Sequence, residues 1–175
     1  MNQNSMDIRI LSIAPSTRGF GFAVMEGQKL MIFGGKKTRV KGDTKKNKEL
    51  LRKVEVLINR WQPSIVAFEE ANAKGSRRRP RIRKVVRQIA RLSKRHKIKV
   101  KMLSRRQLRK FFFADGKGTE HRLAMRLAEW FPEELADMLP PKRKLWETEK
   151  SCMDVFDAVA FGVACVTLRS SSSTV

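Results

Sequence analysis

Residues 10–24, Ile10-Leu11-Ser12-Ile13-Ala14-Pro15-Ser16-Thr17-Arg18-Gly19-Phe20-Gly21-Phe22-Ala23-Val24, decide the architecture. A short, mostly apolar run over 8–13 reads as a central strand covered on both faces. Pro15, Ser16 and Thr17 break it with a turn, and a second, Gly-spaced strand follows over 19–26. Glu26-Gly27-Gln28-Lys29 has the chemistry of a hairpin turn, and 30–36 returns as a third strand. The chain therefore opens as a three-stranded meander, with Ala14 at the end of its first strand.

Downstream the period changes from strand to helix. Asp43 or Thr44 can cap a helix carrying Leu50, Leu51, Val54, Leu57, Ile58 and Trp61 at helical spacing, and Pro63 ends it. Ile65-Val66-Ala67-Phe68 is a compact fourth strand that runs straight into Glu69-Glu70. After a Gly/Ser/Arg/Pro loop, Ile82, Val85, Val86, Ile89 and Leu92 mark an amphipathic helix over 81–96. Residues 97–103 alternate Ile98, Val100 and Met102 with lysines, which predicts a fifth strand with one wet face. Ser104 caps a short helix, Thr119 begins another that reaches Trp130, and 132–149 is a proline-interrupted, charged connector. Residues 153–168 form a strongly apolar last helix. Residues 1–7 read as a polar lead-in and 170–175 as a loose tail, which places a single domain at 1–169. A meander followed by helix–strand–helix–strand–helix is an α/β protein, a mixed sheet with helices on both faces.

At 175 residues the chain is long enough for one domain with a real core, and 41% hydrophobic residues exclude wholesale disorder. The charge is the unusual quantity: 39 Lys and Arg against 17 Asp and Glu leave +22. A small domain with that charge calls for a polyanionic partner, and nucleic acid fits best. An anionic membrane surface fits poorly, because no helix pairs a basic face with an aromatic-rich insertion face. No apolar stretch approaches the ~20 residues of a membrane span. Cys152 and Cys165 form no CxxC pair, which argues against a zinc site and for two reduced thiols. The N-terminus lacks a signal-peptide pattern, so the expected location is intracellular, in the cytoplasm or at the nucleoid.

Three acids stand out by position. Hydrolysis of a phosphodiester by paired metal ions needs several carboxylates converging on Mg²⁺ ions about 4 Å apart. Adjacent central strands can bring two carboxylates to one sheet end, and a helix adds two on one face at i, i+3. Glu69 ends the fourth strand, and Asp154 and Asp157 have that spacing on the first turn of the last helix. Each has a plainer counterpart. Asp154 can be an N-terminal helix acid favoured by the dipole, and Glu69 a salt-bridge partner. Asp157 is harder to dismiss, because it runs into Ala158-Val159-Ala160-Phe161-Gly162, where an uncompensated carboxylate is costly. Glu70 competes with Glu69, but neighbours on a strand point to opposite faces, so only one enters the site.

On these residues the chain resembles the RuvC-type Holliday-junction resolvases of the ribonuclease H-like nuclease superfamily. The matching pieces are residues 10–21, Val66-Ala67-Phe68-Glu69-Glu70 and Met153-Asp154-Val155-Phe156-Asp157-Ala158-Val159-Ala160, in the family's order and at compatible separations. The resemblance implies a ribonuclease H-like α/β fold whose five strands lie in the order 3-2-1-4-5, flanked by helices. It also implies a Mg²⁺-dependent endonuclease, with Mn²⁺ as a substitute, that resolves Holliday junctions or related branched DNA as a homodimer. Glu69, Asp154 and Asp157 match three of the family's four metal-binding acids. Ala14 stands where the fourth, a first-strand aspartate, is expected, so this chain is expected to bind and not to cut. Ala71-Asn72-Ala73 replaces the aromatic that family members commonly carry after the strand-four glutamate. The family's lysine near the start of the penultimate helix has no clean match, which leaves Lys117 or His121; His121 also reads as a solvated helix residue.

Residues 74–110 are roughly half Lys and Arg. The loop Gly75-Ser76-Arg77-Arg78-Arg79-Pro80-Arg81 begins just after Glu69, where it can grip phosphates. The candidate DNA contacts are Arg77, Arg78, Arg79, Arg81, Arg105, Arg106 and Arg109, with Lys117 and His121. The alternative is a non-catalytic branched-DNA or RNA-binding protein on the same fold, with structural acids. Ile82, Val85, Ile89 and Leu92 can form the seam of a homodimer or be used entirely against the sheet.

Overall fold

The computed structural model describes residues 8–74, 76–139 and 152–170, which build around one five-stranded sheet. Strands β1 (Arg9–Pro15), β2 (Gly19–Glu26) and β3 (Lys29–Lys37) form the antiparallel meander, and β4 (Ile65–Glu69) and β5 (Lys99–Leu103) continue it in parallel. The order is β3-β2-β1-β4-β5, as the sequence implies. Helix α1 (Asp43–Trp61) links β3 to β4, and α2 (Pro80–Arg95) links β4 to β5. Helices α3 (Arg105–Phe112), α4 (Glu120–Trp130), the four-residue α5 (Pro132–Leu135), a 3-10 turn at Ala136–Met138 and α6 (Met153–Ser170) complete the chain. The expected lead-in, the connector from 140 onward and the tail beyond 170 lie outside the described residues.

Alternation along the central strands sorts their side chains between two cores. Leu11, Ile13, Phe20, Phe22, Val24, Val66 and Phe68 meet α1 and α2, while Ile10, Ala14, Ala23, Met25 and Ala67 face α4 and α6. The apolar residues of α2 are spent on the first core: Ile82, Val85, Ile89 and Leu92 are buried within the single chain. That corrects the dimer seam considered for them, since residues already covered by the sheet and α1 have no surface left for a partner.

The α6 side of the sheet is built from small residues, and this sets the position of the site. Ser12, Ala14, Gly21 and Ala23 leave so little thickness that α6 lies almost on the backbone of β1 and β2. A Cβ at Gly21 would stand 2.0 Å from the carbonyl oxygen of Asp154, and one at Gly162 would stand 3.0 Å from Met25 Cγ and Ser12 Oγ. Larger side chains at these positions would lift the helix off the sheet.

Local signals are obeyed at some ends and overridden at others. Ser104 caps α3 in a full capping box with Gln107, and Thr119 caps α4 by accepting from the Arg122 backbone N–H. Helix α1 instead starts at Asp43 behind Gly42, with no side-chain cap, so neither Asp43 nor Thr44 plays that part. It ends where Gln62 turns left-handed ahead of Pro63. The fifth strand begins later than its alternation suggests, because Lys97 takes a left-handed φ of 58°. Its buried face is also incomplete. Val100 is half-buried and Met102 is 46% exposed, because β5 is the sheet edge and α2 divides its contacts among β1, β4 and β5.

Gly21→Ala should destabilise the protein by about 1–3 kcal/mol in urea unfolding, since a methyl group must displace backbone. Gly35→Ala is the control, because its Cβ would meet Val155 Cγ2 at an ordinary 3.7 Å. Equal losses of stability at the two positions would mean that the close approach of α6 is not what Gly21 protects.

Candidate functional site

Strand register brings the sequence-predicted acids to one end of the sheet. Ile13 pairs with Phe68 across β1 and β4, so the next residues in that register are Ala14 and Glu69. Ala14 also pairs with Gly21 of β2, over which the Asp154 carbonyl sits. Asp157 follows one turn later in α6. Glu69 is buried and Glu70 exposed, so Glu69 is the strand-four acid that enters the site.

The acids do not meet one another across an open gap. A guanidinium stands between them. Leu103 of β5 pairs with Glu69, and Ser104 turns the chain into α3, which leaves Arg105 at the first helical position beside the acids. Arg105 Nε donates to Glu69 Oε2 at 3.3 Å, and its Nη1 and Nη2 donate to the two oxygens of Asp157 at 3.2 and 2.5 Å. Nη1 also donates to Glu120 Oε1 at 3.2 Å. Arg78, from the loop before α2, donates to Glu69 Oε2 through Nε at 2.9 Å and Nη2 at 2.5 Å. One arginine thus joins β4, α4 and α6, and a second reinforces the β4 acid.

These contacts set the protonation states. Burial disfavours the charge on Glu69, but the Arg78 and Arg105 guanidiniums outweigh it and hold the carboxyl below its ordinary range. Burial raises the pKa of Asp157, with Arg105 opposing. Burial would also lower the pKa of Arg105, yet Asp157 and Glu69 together push it up, so it carries a permanent positive charge. Asp154 is different. Its Oδ2 accepts from Ser16 Oγ at 3.2 Å, its Oδ1 is buried with no hydrogen-bond partner, and burial raises its pKa.

The fold's expected metal can be tested against this donor set. Among the described residues no three acids gather as a group able to hold an ion. Glu69 Oε2 already takes three N–H donors and both Asp157 oxygens are bonded to Arg105. In this arrangement the residues do not fit a divalent cation.

Two clefts meet at Arg78 and Arg105. One, of about 480 Å³, runs between the β1–β2 turn, the end of β3 and α6, and is edged by Arg18, Lys36 and Lys37 with Asp154 at its side. The other, of about 620 Å³, is edged by Lys74, Arg77, Arg106 and Arg109. Of the arginines singled out in the sequence, Arg77, Arg79, Arg106 and Arg109 are exposed, while Arg78 and Arg105 are turned inward to the acids. Arg81 is a strut: its Nη2 donates to the Ser16 carbonyl at 2.6 Å, its Nη1 to Asn47 Oδ1 at 2.9 Å, and its side chain is 7% exposed. Its guanidinium is committed to the protein itself. Lys117 is exposed, His121 is half-buried on α4, and neither lines either of these two clefts.

Sequence reasoning missed Ser16, Glu120 and the basic edge formed by Arg18, Lys36 and Lys37. Glu120 had a usable signal, since it follows the Thr119 cap as a first-turn acid. The Lys36–Lys37 edge had one too, because the meander returns the end of β3 to the start of β2.

No protein-family model and no curated protein sequence matches the chain. Solved structures do match it in shape. RuvC of Thermus thermophilus superposes with a TM-score of 0.67 at 14% identity, over 94% of this chain and 97% of the other. T. thermophilus RuvC in complex with Holliday junction substrate gives 0.65 at 15% identity, over 93% and 96%. The yeast mitochondrial Holliday junction resolvase Ydc2 gives 0.64 at 10% identity, over 93% and 79%. The chain has the RuvC-type resolvase fold.

Arg105→Ala should cost about 3–5 kcal/mol in urea unfolding, because it takes the cation away from the buried Asp157 carboxylate while Glu69 keeps Arg78. Acidification tests Glu69 separately. Its lowered pKa makes it stabilising above the ordinary value of 4.5, and that contribution is lost as pH falls through the folded value. Asp154 and Asp157, shifted upward, work in the opposite direction. Glu69→Gln should therefore flatten the loss of stability below pH 4.5, by at most about 1.4 kcal/mol per pH unit for one proton. An unchanged slope would place no ionised carboxylate at 69.

Proposed function

We propose that the chain is a structure-selective protein for branched DNA that binds a four-way junction without cutting it. One observation carries this reading: the sheet end that holds the acids is neutralised from within by Arg78 and Arg105 and flanked on both sides by basic clefts. Backbone phosphates would lie along Arg18, Lys36 and Lys37 on one side and along Arg77, Arg106 and Arg109 on the other. Such contacts position a duplex arm without reading its sequence, so selectivity rests on the angle between arms. The net charge of +22 supports a polyanionic partner. The likeness to a RuvC solved with Holliday junction substrate supports the junction as the branched form.

In the absence of the first-strand acid, with Ala14 in its place, cutting is not part of this reading. Metal-dependent endonuclease action with Mg²⁺ or Mn²⁺ is the second reading. It would require Arg105 to leave the oxygens of Glu69 and Asp157, with Asp154 at the side of the same cleft. A homodimer suits the twofold symmetry of a junction, and a DNA partner suits an intracellular location at the nucleoid. In both readings the biological setting is DNA recombination or repair.

Gel-shift titration against a four-way junction, linear duplex and single-stranded RNA tests the proposal. Junction preference should persist as salt weakens all binding. Replacing Arg77, Arg106 or Arg109 by Gln should flatten the log–log salt slope by about 0.9 for each phosphate that is no longer neutralised. Equal affinity for linear duplex, or tighter RNA binding, would overturn the reading. Incubation with Mg²⁺ or Mn²⁺ should leave the junction intact. Ala14→Asp restores an acid beside Glu69, and nicking gained by that change alone would mark the chain as an inactivated resolvase.

A further inference from the structure

We infer that the Arg105 guanidinium is the resident cation of this site, standing where a divalent ion would have to sit and making the acidic centre complete without metal. The inference concerns the chain's own acids and does not depend on what DNA it binds. Its first support is position. A metal shared by Glu69 and Asp157 must be held by oxygens of both, and Arg105 already donates to Glu69 Oε2 and to both oxygens of Asp157.

The second support is occupancy. Glu69 Oε2 accepts from three N–H groups of Arg78 and Arg105, and both oxygens of Asp157 accept from Arg105, so an ion bridging these oxygens would have to displace the guanidinium. The third is reach. Arg105 also touches Glu120, so a single planar fork joins β4, α4 and α6, the elements that frame the site. The last is charge. Two fixed monocations, Arg78 and Arg105, face the two buried acids they contact, Glu69 and Asp157, and Ala14 adds no further anion beside them. A lysine could supply the charge but not the several directed N–H bonds.

Manganese uptake, followed by loss of the free-ion EPR signal on the full-length protein, tests this. The wild type should leave the signal of millimolar Mn²⁺ unchanged, and its thermal midpoint should not move with the ion. Arg105→Gln, which removes the cation and keeps a polar group, should take up Mn²⁺ about tenfold more tightly than the wild type, and its thermal midpoint should rise with Mn²⁺ concentration. If Arg105→Gln unfolds alone, recovery of its circular dichroism on adding Mn²⁺ supports the inference equally. Wild-type uptake abolished by Asp157→Asn overturns it. So does an Arg105→Gln protein that is folded yet gains no Mn²⁺, or one that stays unfolded with the ion present. None of these readouts uses DNA, so they remain separate from the junction-binding test.

Discussion

The near-contact of α6 with the sheet is the constraint on which the site depends. The backbone of Asp154 rests where a side chain at Gly21 would be, and Gly162 lies against Ser12 and Met25. A helix packed at that distance sets its first turn directly over β2, at the end of the sheet. The carboxylates of Asp154 and Asp157 are consequently delivered to the end of β1 and β4, next to Glu69, by packing and not by attraction to a ligand. The same packing dries the site, with Asp157 and Glu69 both buried. A fold that forces acids together in low dielectric must also supply positive charge, because the Coulomb cost of leaving them bare is large.

Here the compensation comes from the polypeptide. Arg105 is placed by three local decisions: β5 pairs with β4 up to Glu69, Ser104 caps α3, and the first helical residue then lies beside the acid. Arg78 arrives from the basic loop that precedes α2. The positive charge of the chain is thus divided in two. A small internal share neutralises the acids, and a larger external share, on the β1–β2 turn, β3, the 74–79 loop and α3, edges the two clefts. Two residues that look alike in sequence, Arg105 and Arg106, fall on opposite sides of that division: one is half-buried among carboxylates, the other exposed.

The meander, the fourth strand and the final helix were legible because each rests on local periodicity or on a turn residue with a steric meaning, whereas the strand order followed from the family resemblance. The three acids were legible because each lies at one end of a strongly apolar element, Glu69 at the close of β4 and Asp154 and Asp157 at the start of α6, where a charge has to be explained. The partners of those acids were not. Arg78 and Arg105 read as members of a basic tract, since composition records how many arginines there are and not which way each turns. Arg81 shows the same limit, because its 7% exposure follows from Asn47 and the Ser16 carbonyl, contacts across 34 and 65 residues of chain. The α2 stripe was ambiguous for a related reason: an apolar helix face looks identical whether it meets its own sheet or another subunit.

Ala14 and Arg105 belong to one electrostatic arrangement. Ala14 lies 4% exposed on the face that α6 covers, in register beside Glu69, so an aspartate there would add a fourth carboxylate to a dry and crowded centre. Two divalent ions could balance four such groups, whereas two guanidiniums could not. With alanine at 14 the balance changes. Glu69 and Asp157 are matched by Arg78 and Arg105, Glu120 shares the second guanidinium from a partly exposed position, and Asp154 is left on Ser16 with burial raising its pKa. The methyl group at 14 and the arginine at 105 are therefore complementary: each makes the other tolerable on a sheet end where the close packing of α6 brings acids together.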